Sequence, residues 1–221
     1  MQGYFITGTD TEIGKTYVSC LLLNQLKRHG HSAAGLKPIA SGCNTTANGL
    51  VNEDALALQA NSSVKLPYSL INRYRFAPAI APHIAAAQSD ISIEPALIVK
   101  DVKEAAKKVD RLVVEAVGGW CVPLGQNSEG TAFDVSNLAE ALQLPVILVV
   151  GIKLGCINHA RLTEMSIRSS GLPFKGWIAN HCCSDTAVAE DIVSTLQQTL
   201  EVPMLAEVGY GQQALSDHVV L

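Results

Sequence analysis

The 221-residue sequence has no stretch approaching the roughly 18 consecutive apolar residues that a membrane span needs, and no long run of Lys and Arg. The first absence argues against a transmembrane segment. The second, with a formal net charge of -4, argues against a nucleic-acid or anionic-membrane surface as the main partner. Neither a basic segment nor an apolar signal region fits before Gly8, so a cytoplasmic location is expected. The cysteines (Cys20, Cys43, Cys121, Cys156, Cys182 and Cys183) form no C-x-x-C pair, and the adjacent Cys182 and Cys183 suit neither zinc ligation nor an ordinary disulfide. They are expected to be reduced packing or surface residues. The histidines show no metal-ligand spacing, and there is no Ser/His/Asp or Cys/His pairing, internal repeat or low-complexity linker. A small-molecule substrate fits these exclusions best.

What is present is apolar enough to build a core: 48% of residues are hydrophobic and 16% charged, which suits one α/β domain. Apolar runs of strand length stand at Gly3 to Thr7, Ala33 to Pro38, Arg111 to Val117, Pro145 to Gly151 and Phe174 to Asn180. Helical spacing marks Gly14 to His29, with Val18, Leu21, Leu22 and Leu26 on one stripe, and candidate helices cover Asp134 to Leu142, Cys156 to Ser170 and Thr186 to Leu200. Continuous apolar strands without alternation are covered on both faces. The expected fold is therefore a single α/β domain spanning residues 1–221, with a mostly parallel central sheet wrapped by helices. Gly42 to Asn52, rich in Asn, Thr and Gly, is expected to be a long loop.

Between the first strand and helix runs GTDTEIGKT, Gly8 to Thr16. A strand, a glycine-containing loop and Lys-Thr opening a helix is the arrangement in which backbone N–H groups wrap a phosphate, lysine neutralises its β/γ oxygens and the hydroxyl ligates Mg²⁺. Lys15 and Thr16 take those roles, and Gly14 permits close backbone approach. The usual G-x-x-x-x-G-K-[ST] spacing wants glycine at position 9, where Thr9 stands. No N-K-x-D guanine reader occurs, and the second loop lysine of partitioning ATPases is replaced by Asp10. Asp10 and Glu12 beside a polyphosphate call for a metal or a cationic substrate nearby. Glu115, inside the strand RLVVEAV, would be costly unless it is paired or holds a cation. Asp54, in NEDALAL, reads either as a metal ligand or as a favourable charge at a helix start. Lys37, ending the strand AAGLKP, reads either as a cation facing the phosphate crevice or as an exposed lysine at a turn.

These stretches, together with GLKPIASGC, NEDALALQ, VEAVGGW, QLPVILVVGIKLGCINHA and GWIAN, resemble the dethiobiotin synthase family in family order from Gly8 to Asn180. Thr9 is what that family would have. The resemblance implies an ATP- and Mg²⁺-dependent ligase that carboxylates 7,8-diaminononanoate with CO₂ and closes a urea ring. It implies that Glu12, Ile13, Gly14, Lys15, Thr16 and Tyr17 contact ATP, that Thr16, Asp54 and Glu115 hold Mg²⁺, and that Lys37 is the catalytic lysine beside Lys15. Thr11 and Ser41 would contact the diamine. Asn180, with His181 beside it, would read adenine. Gly155, Cys156 and Asn158, opening a helix, would meet the substrate carboxylate across a homodimer interface; without the resemblance that stretch reads equally as a plain strand-to-helix turn.

Two segments depart from the family pattern. Ala116 and Val117 precede Gly118 and Gly119 where the family commonly has E-G-x-G-G, so added side chains are expected to narrow the space near nucleotide or carbamate. After the last strand, AEVGYGQQ replaces a proline-containing segment, and Gly209, Tyr210 and Gly211 are expected to line the base with a more flexible loop. Three alternatives stay open: a cobyrinate-type amide ligase, for whose usual glutaminase domain 221 residues leave little room, a regulatory ATPase that binds a protein partner, and a non-catalytic nucleotide-binding relative.

Overall fold

Successive residues of a strand face opposite sides of its sheet. In the first strand Phe5 enters one apolar cluster while Tyr4 and Ile6 enter a second on the other side, and Leu112 and Val114 against Val113, or Val146, Leu148 and Val150 against Ile147 and Val149, divide the same way. That two-sided burial is why these runs show no polar alternation.

The computed structural model describes residues 1–126, 130–184 and 188–216. Its first half runs β1 (Gly3–Gly8), α1 (Lys15–Arg28), β2 (Ala33–Leu36), β3 (Ile39–Ser41), β4 (Asn44–Thr46), β5 (Gly49–Val51), α2 (Glu53–Asn61), α3 (Tyr68–Ile71), β6 (Tyr74–Phe76), α4 (Pro82–Gln88) and α5 (Pro95–Ala106). The second half runs β7 (Arg111–Glu115), β8 (Pro123–Gln126), β9 (Ala132–Asp134), α6 (Val135–Leu142), β10 (Val146–Gly151), α7 (Cys156–Ser169), β11 (Phe174–Asn180), α8 (Ala189–Thr199) and β12 (Met204–Val208).

Six strands form a sheet in the order β12-β11-β10-β1-β7-β2, parallel at every neighbouring pair. From β1 the chain moves toward β2 over α1, whose Val18, Leu21, Leu22 and Leu26 fill one face. From β10 it moves the other way to β11 and β12, and residues of α5, α6, α7 and α8 fill the opposite face. The change of direction beside β1 opens a crevice at the carboxyl ends of the strands, where ligands of such sheets bind. All five expected strands and the four expected helices are present, with ends shifted by a few residues. The start expected at Thr186 lies outside the described residues.

The structure departs from the sequence reading in four places. Gly42 to Asn52 is not an open loop but holds the β4–β5 hairpin. Gly49 takes a positive φ of 98°, and Thr46 Oγ1 accepts from the Asn48 N–H and donates to the Gly49 carbonyl, closing the turn. Asp134 is the cap of α6, not its first residue: its carboxylate accepts from the N–H groups of Ser136 and Asn137. β7 ends at Glu115, so Ala116 and Val117 begin the following turn. Ala206 to Val208 belong to β12, and the terminal loop starts only at Gly209. Among the described residues no helix is long and apolar enough to cross a membrane. All six cysteines are free.

Candidate functional site

The loop from Thr9 to Gly14 joins β1 to α1 at the crevice. Gly14 is the N-cap of α1 with φ 81°, no side chain caps the helix, and no acidic residue stands in its first turn. The free N–H groups and the positive end of the helix are thus left for an anion. Glu12 takes a φ of 59°, the left-handed region that costs a non-glycine residue energy and recurs where a loop is shaped around a ligand. A Cβ on Gly14 would lie 2.2 Å from Asn180 Nδ2. That amide nitrogen donates to the Ile13 carbonyl at 2.9 Å, so the end of β11 buckles the loop in place. Asn180 Oδ1 is buried without a partner.

Lys15 Nζ donates to the Asp10 carbonyl at 2.7 Å. Burial first, and the neighbouring Lys37 cation second, bring its pKa down to about 8. Asp10 does not wait for a metal or a substrate: its carboxylate accepts from the Thr11 N–H at 2.8 Å and from Lys153 Nζ at 3.2 Å. Those contacts, the Thr11 N–H foremost, hold its carboxyl below the usual range.

Opposite Lys15 lies a compact charge cluster. Lys37, 4% exposed, donates to Glu115 Oε1 at 2.5 Å and reaches Asp54 Oδ2 at 3.1 Å. Burial works to lower the Lys37 pKa, but the two carboxylates outweigh it and raise it above the ordinary lysine value. Burial likewise works to raise the Asp54 pKa, and Lys37 outweighs it and lowers it. Thr16 Oγ1 donates to the same Glu115 Oε1 at 2.8 Å, while Glu115 Oε2 is buried with no partner. A carboxylate oxygen so placed is costly unless a cation or donor completes it. Thr16, Asp54 and Glu115 supply hard oxygen donors at one point of the crevice, the chemistry that suits Mg²⁺ finished by phosphate oxygens and water. Among the described residues no three His, Cys, Asp or Glu side chains gather as a metal-binding group.

These groups border a cavity of about 780 Å³. Of the residues singled out in the sequence, Thr11, Glu12, Gly14, Lys15, Thr16, Lys37, Ser41, Asp54, Glu115, Val117 and Gly118 line it. Ser41 Oγ is buried without a partner. Ala116 does not line the cavity: it is 4% exposed in the core beneath, so of the two departures only Val117 narrows the space. Ile13 is fully buried.

Farther along the strand ends, Tyr17 donates through its hydroxyl to the Gln212 carbonyl, and His181 Nε2 pairs with Glu207 Oε1 at 2.8 Å. The Gly209–Gly211 turn is closed by Gln212, whose Oε1 accepts from the Gly209 N–H at 2.9 Å, and Tyr210 is 66% exposed. Gly155, Cys156 and Asn158 lie outside the cavity lining at the start of α7. The Cys156 side chain is buried and its N–H donates to the Lys153 carbonyl. Sequence reasoning missed Lys153, the partner of Asp10, and in the cavity wall Asn52 and the apolar Ala79, Ile80, Ala81, Pro82 and Val122.

The parallel sheet, the loop and the lysine-led helix define a P-loop NTPase-like protein. Solved MinD structures share the fold: the Pyrococcus horikoshii protein at TM-score 0.54 and 16% identity, over 95% of this chain and 82% of that one, and the Aquifex aeolicus MinC:MinD complex at 0.57 and 14%, over 96% and 82%. A family model described as an AAA domain matches residues 2–216. The ATP-dependent dethiobiotin synthetase of Chromohalobacter salexigens is 46% identical over 93% of this chain and 88% of its own length, that of Pseudomonas aeruginosa 46% over 94% and 90%, and one of Escherichia coli strain K12 44% over 93% and 89%. The chain belongs to the ATP-dependent dethiobiotin synthetase family.

Proposed function

We propose that this protein converts 7,8-diaminononanoate, CO₂ and ATP into dethiobiotin, ADP and phosphate, with Mg²⁺, acting as a single ligase domain. The observation that carries the reading is Lys37, buried and held charged by Glu115 and Asp54, facing the same cavity as Lys15. One amine of the substrate captures CO₂ as a carbamate. Its oxygen attacks the γ-phosphorus, ADP leaves, and the second amine attacks the carbonyl carbon of the mixed anhydride, expelling phosphate and closing the ring. Negative charge develops on the transferring phosphoryl group and on the carbonyl oxygen, where two ammonium groups held in place stabilise it. Ring closure is intramolecular, so holding the two amines contributes much of the rate. Mg²⁺ supplies charge neutralisation on the phosphates, and Thr16, Asp54 and Glu115 would hold it.

Thr11 and Ser41 face the cavity on the diamine side, and the unpartnered Ser41 hydroxyl supports that assignment. Glu12 through Tyr17 would follow the phosphates, with Val117 and Gly118, which line the cavity, beside them. Asn180, His181 and Gly209 to Gly211 would take the base; in support, the buried Asn180 Oδ1 has no partner and is an acceptor suited to an exocyclic amine. Gly155 and Asn158 would take the substrate carboxylate in a homodimer, with Cys156, whose N–H is already committed to Lys153, packed beneath them. In support, α7 exposes Leu162 and Met165 at 58% and 61%, and Leu154 just before it at 98%.

The test measures ADP release with diaminononanoate, bicarbonate and Mg²⁺, omitting one component at a time. Release should require all of them; release indifferent to the diamine would instead favour a regulatory ATPase or an amide ligase of another substrate.

A further inference from the structure

Lys37 lies one residue past the end of β2, and its backbone is held from outside the sheet. Its N–H donates to the Ile71 carbonyl at 2.8 Å, and its carbonyl accepts from Asn72 Nδ2 at 2.6 Å. Asn72 is fully buried. Its amide orientation is determined, because Nδ2 faces two carbonyl oxygens, those of Lys37 and of Tyr74, the latter at 3.4 Å. Oδ1 is therefore the atom left to accept. It accepts from the Tyr68 hydroxyl at 3.3 Å. With its only proton committed there, the hydroxyl oxygen becomes an acceptor, and the Asn52 N–H donates to it at 2.8 Å. Asn52 Oδ1 accepts from the Ala55 N–H at 3.2 Å, capping α2, and its Nδ2 donates to the Ser41 carbonyl at 3.4 Å.

A directed run of hydrogen bonds thus links the backbone at Lys37, at Ser41 and at the first turn of α2, which carries Asp54. At its far end α2 is tied to β2, where the Gly35 N–H donates to Ser62 Oγ at 3.0 Å; at its first turn the other link to Lys37 is the ion pair itself, whose Asp54 end is half exposed. We propose that Tyr68 and Asn72 are positioning residues that set the Lys37–Asp54 distance through the backbone and touch no substrate. This rests on the catalytic role given to Lys37 above. Displacing groups that orient a charged site costs on the order of tenfold or more in rate. The guanidinium of Arg75 stands 5.8 Å from the centre of the Tyr68 ring, so the ring keeps its seat when only the hydroxyl is removed.

The experiment compares Tyr68→Phe in the wild-type and Lys37→Gln backgrounds, and follows the Lys37 ammonium by ¹⁵N NMR, assigned by its loss in Lys37→Gln. The expected result is a kcat lowered about tenfold, an unchanged KM for ATP, a thermal midpoint close to wild type, no further loss in the Lys37→Gln background, and a shifted Lys37 resonance. An unchanged kcat, an equal loss in both backgrounds, or an unmoved Lys37 resonance overturns the proposal. If wild-type protein makes no dethiobiotin, the ligase reading fails by itself, and the resonance still decides whether Tyr68 positions Lys37.

Discussion

Lys37 and Glu115 stand 78 positions apart in the chain, just past and at the ends of neighbouring parallel strands, and their side chains meet at 2.5 Å with Glu115 fully buried. Glu115→Gln keeps a carbonyl oxygen for the Lys37 and Thr16 donors but removes the charge. Losing one partner of a buried pair costs about 3–5 kcal/mol, and Asp54 should reduce that to roughly 1–3 kcal/mol. Chemical denaturation of the nucleotide-free protein reads the loss. Magnesium titration in the presence of ATP should show weaker affinity; unchanged metal affinity would remove Glu115 from the ligand set.

Lys37→Gln leaves an amide that still donates to Glu115, so the variant should fold and bind ATP while losing charge at the site of phosphoryl transfer. Removing one preorganised electrostatic contact typically costs about 10²–10³ in kcat. Steady-state turnover with diamine and bicarbonate measures this. Turnover near wild type would make Lys37 a bystander.

Gly14→Ala places a methyl group 2.2 Å from the amide that holds the loop, at a φ of 81°. Either the loop or Asn180 must move. ATP affinity, measured calorimetrically, should fall at least tenfold, or about 1.4 kcal/mol, and by more than in Asn180→Ala, which removes the Ile13 tether without the clash. Equal affinities in wild type and Gly14→Ala would mean that this close approach does not shape the phosphate site.

How far the sequence reached depended on whether a residue's setting is local. The phosphate loop was legible because strand, loop and helix are contiguous. Glu115 was legible as a candidate because a carboxylate in an apolar strand demands a partner, and Lys37 because it ends a strand beside the phosphate loop, but their pairing across 78 positions was not. The Asp10–Lys153 pair was not, since its members lie 143 positions apart and either alone reads as a surface charge. Nor were Tyr68 and Asn72, whose meaning comes from a carbonyl that a separate segment delivers. The short strands and helices between Ile39 and Gln88 carry no sustained periodicity; a two-residue hairpin turn and single caps define them. Ala116 was misplaced because a one-residue uncertainty in where β7 ends reverses which way a side chain faces.

The depressed Lys15 pKa makes a signed prediction. Between about 8 and the ordinary 10.5 the unfolded chain holds a proton that the folded, nucleotide-free protein has released. Stability therefore rises with pH across that window, and the penalty is fully present below it. Lys37, whose pKa is raised, stays charged there and does not reverse the slope. Lys15→Met should be more stable than wild type at pH 7, and the gap should close toward pH 10.5 in urea unfolding followed against pH. A gap independent of pH would contradict the assignment. ATP affinity should also weaken above about pH 8 as the uncharged amine becomes common, in wild type but not in Lys15→Met.

The exposed apolar residues of α7 lead to the last test. Leu162, Thr163 and Ser166 border a second cavity, of about 360 Å³, together with Thr9, Asp10 and Thr11 of the phosphate loop. If that face packs against a second copy, dimerisation brings one subunit's helix up to the other's loop, and oligomer state and diamine binding change together. Leu162→Asp combined with Met165→Lys puts charge where apolar area would be buried, so the variant should sediment at the chain mass of 23.4 kDa and the wild type at about double. ATP binding should survive, because the loop and Lys15 lie within one chain, while the KM for diaminononanoate should rise at least tenfold. A wild-type monomer with full activity would refute the dimer, and a variant that stays dimeric would move the interface away from α7.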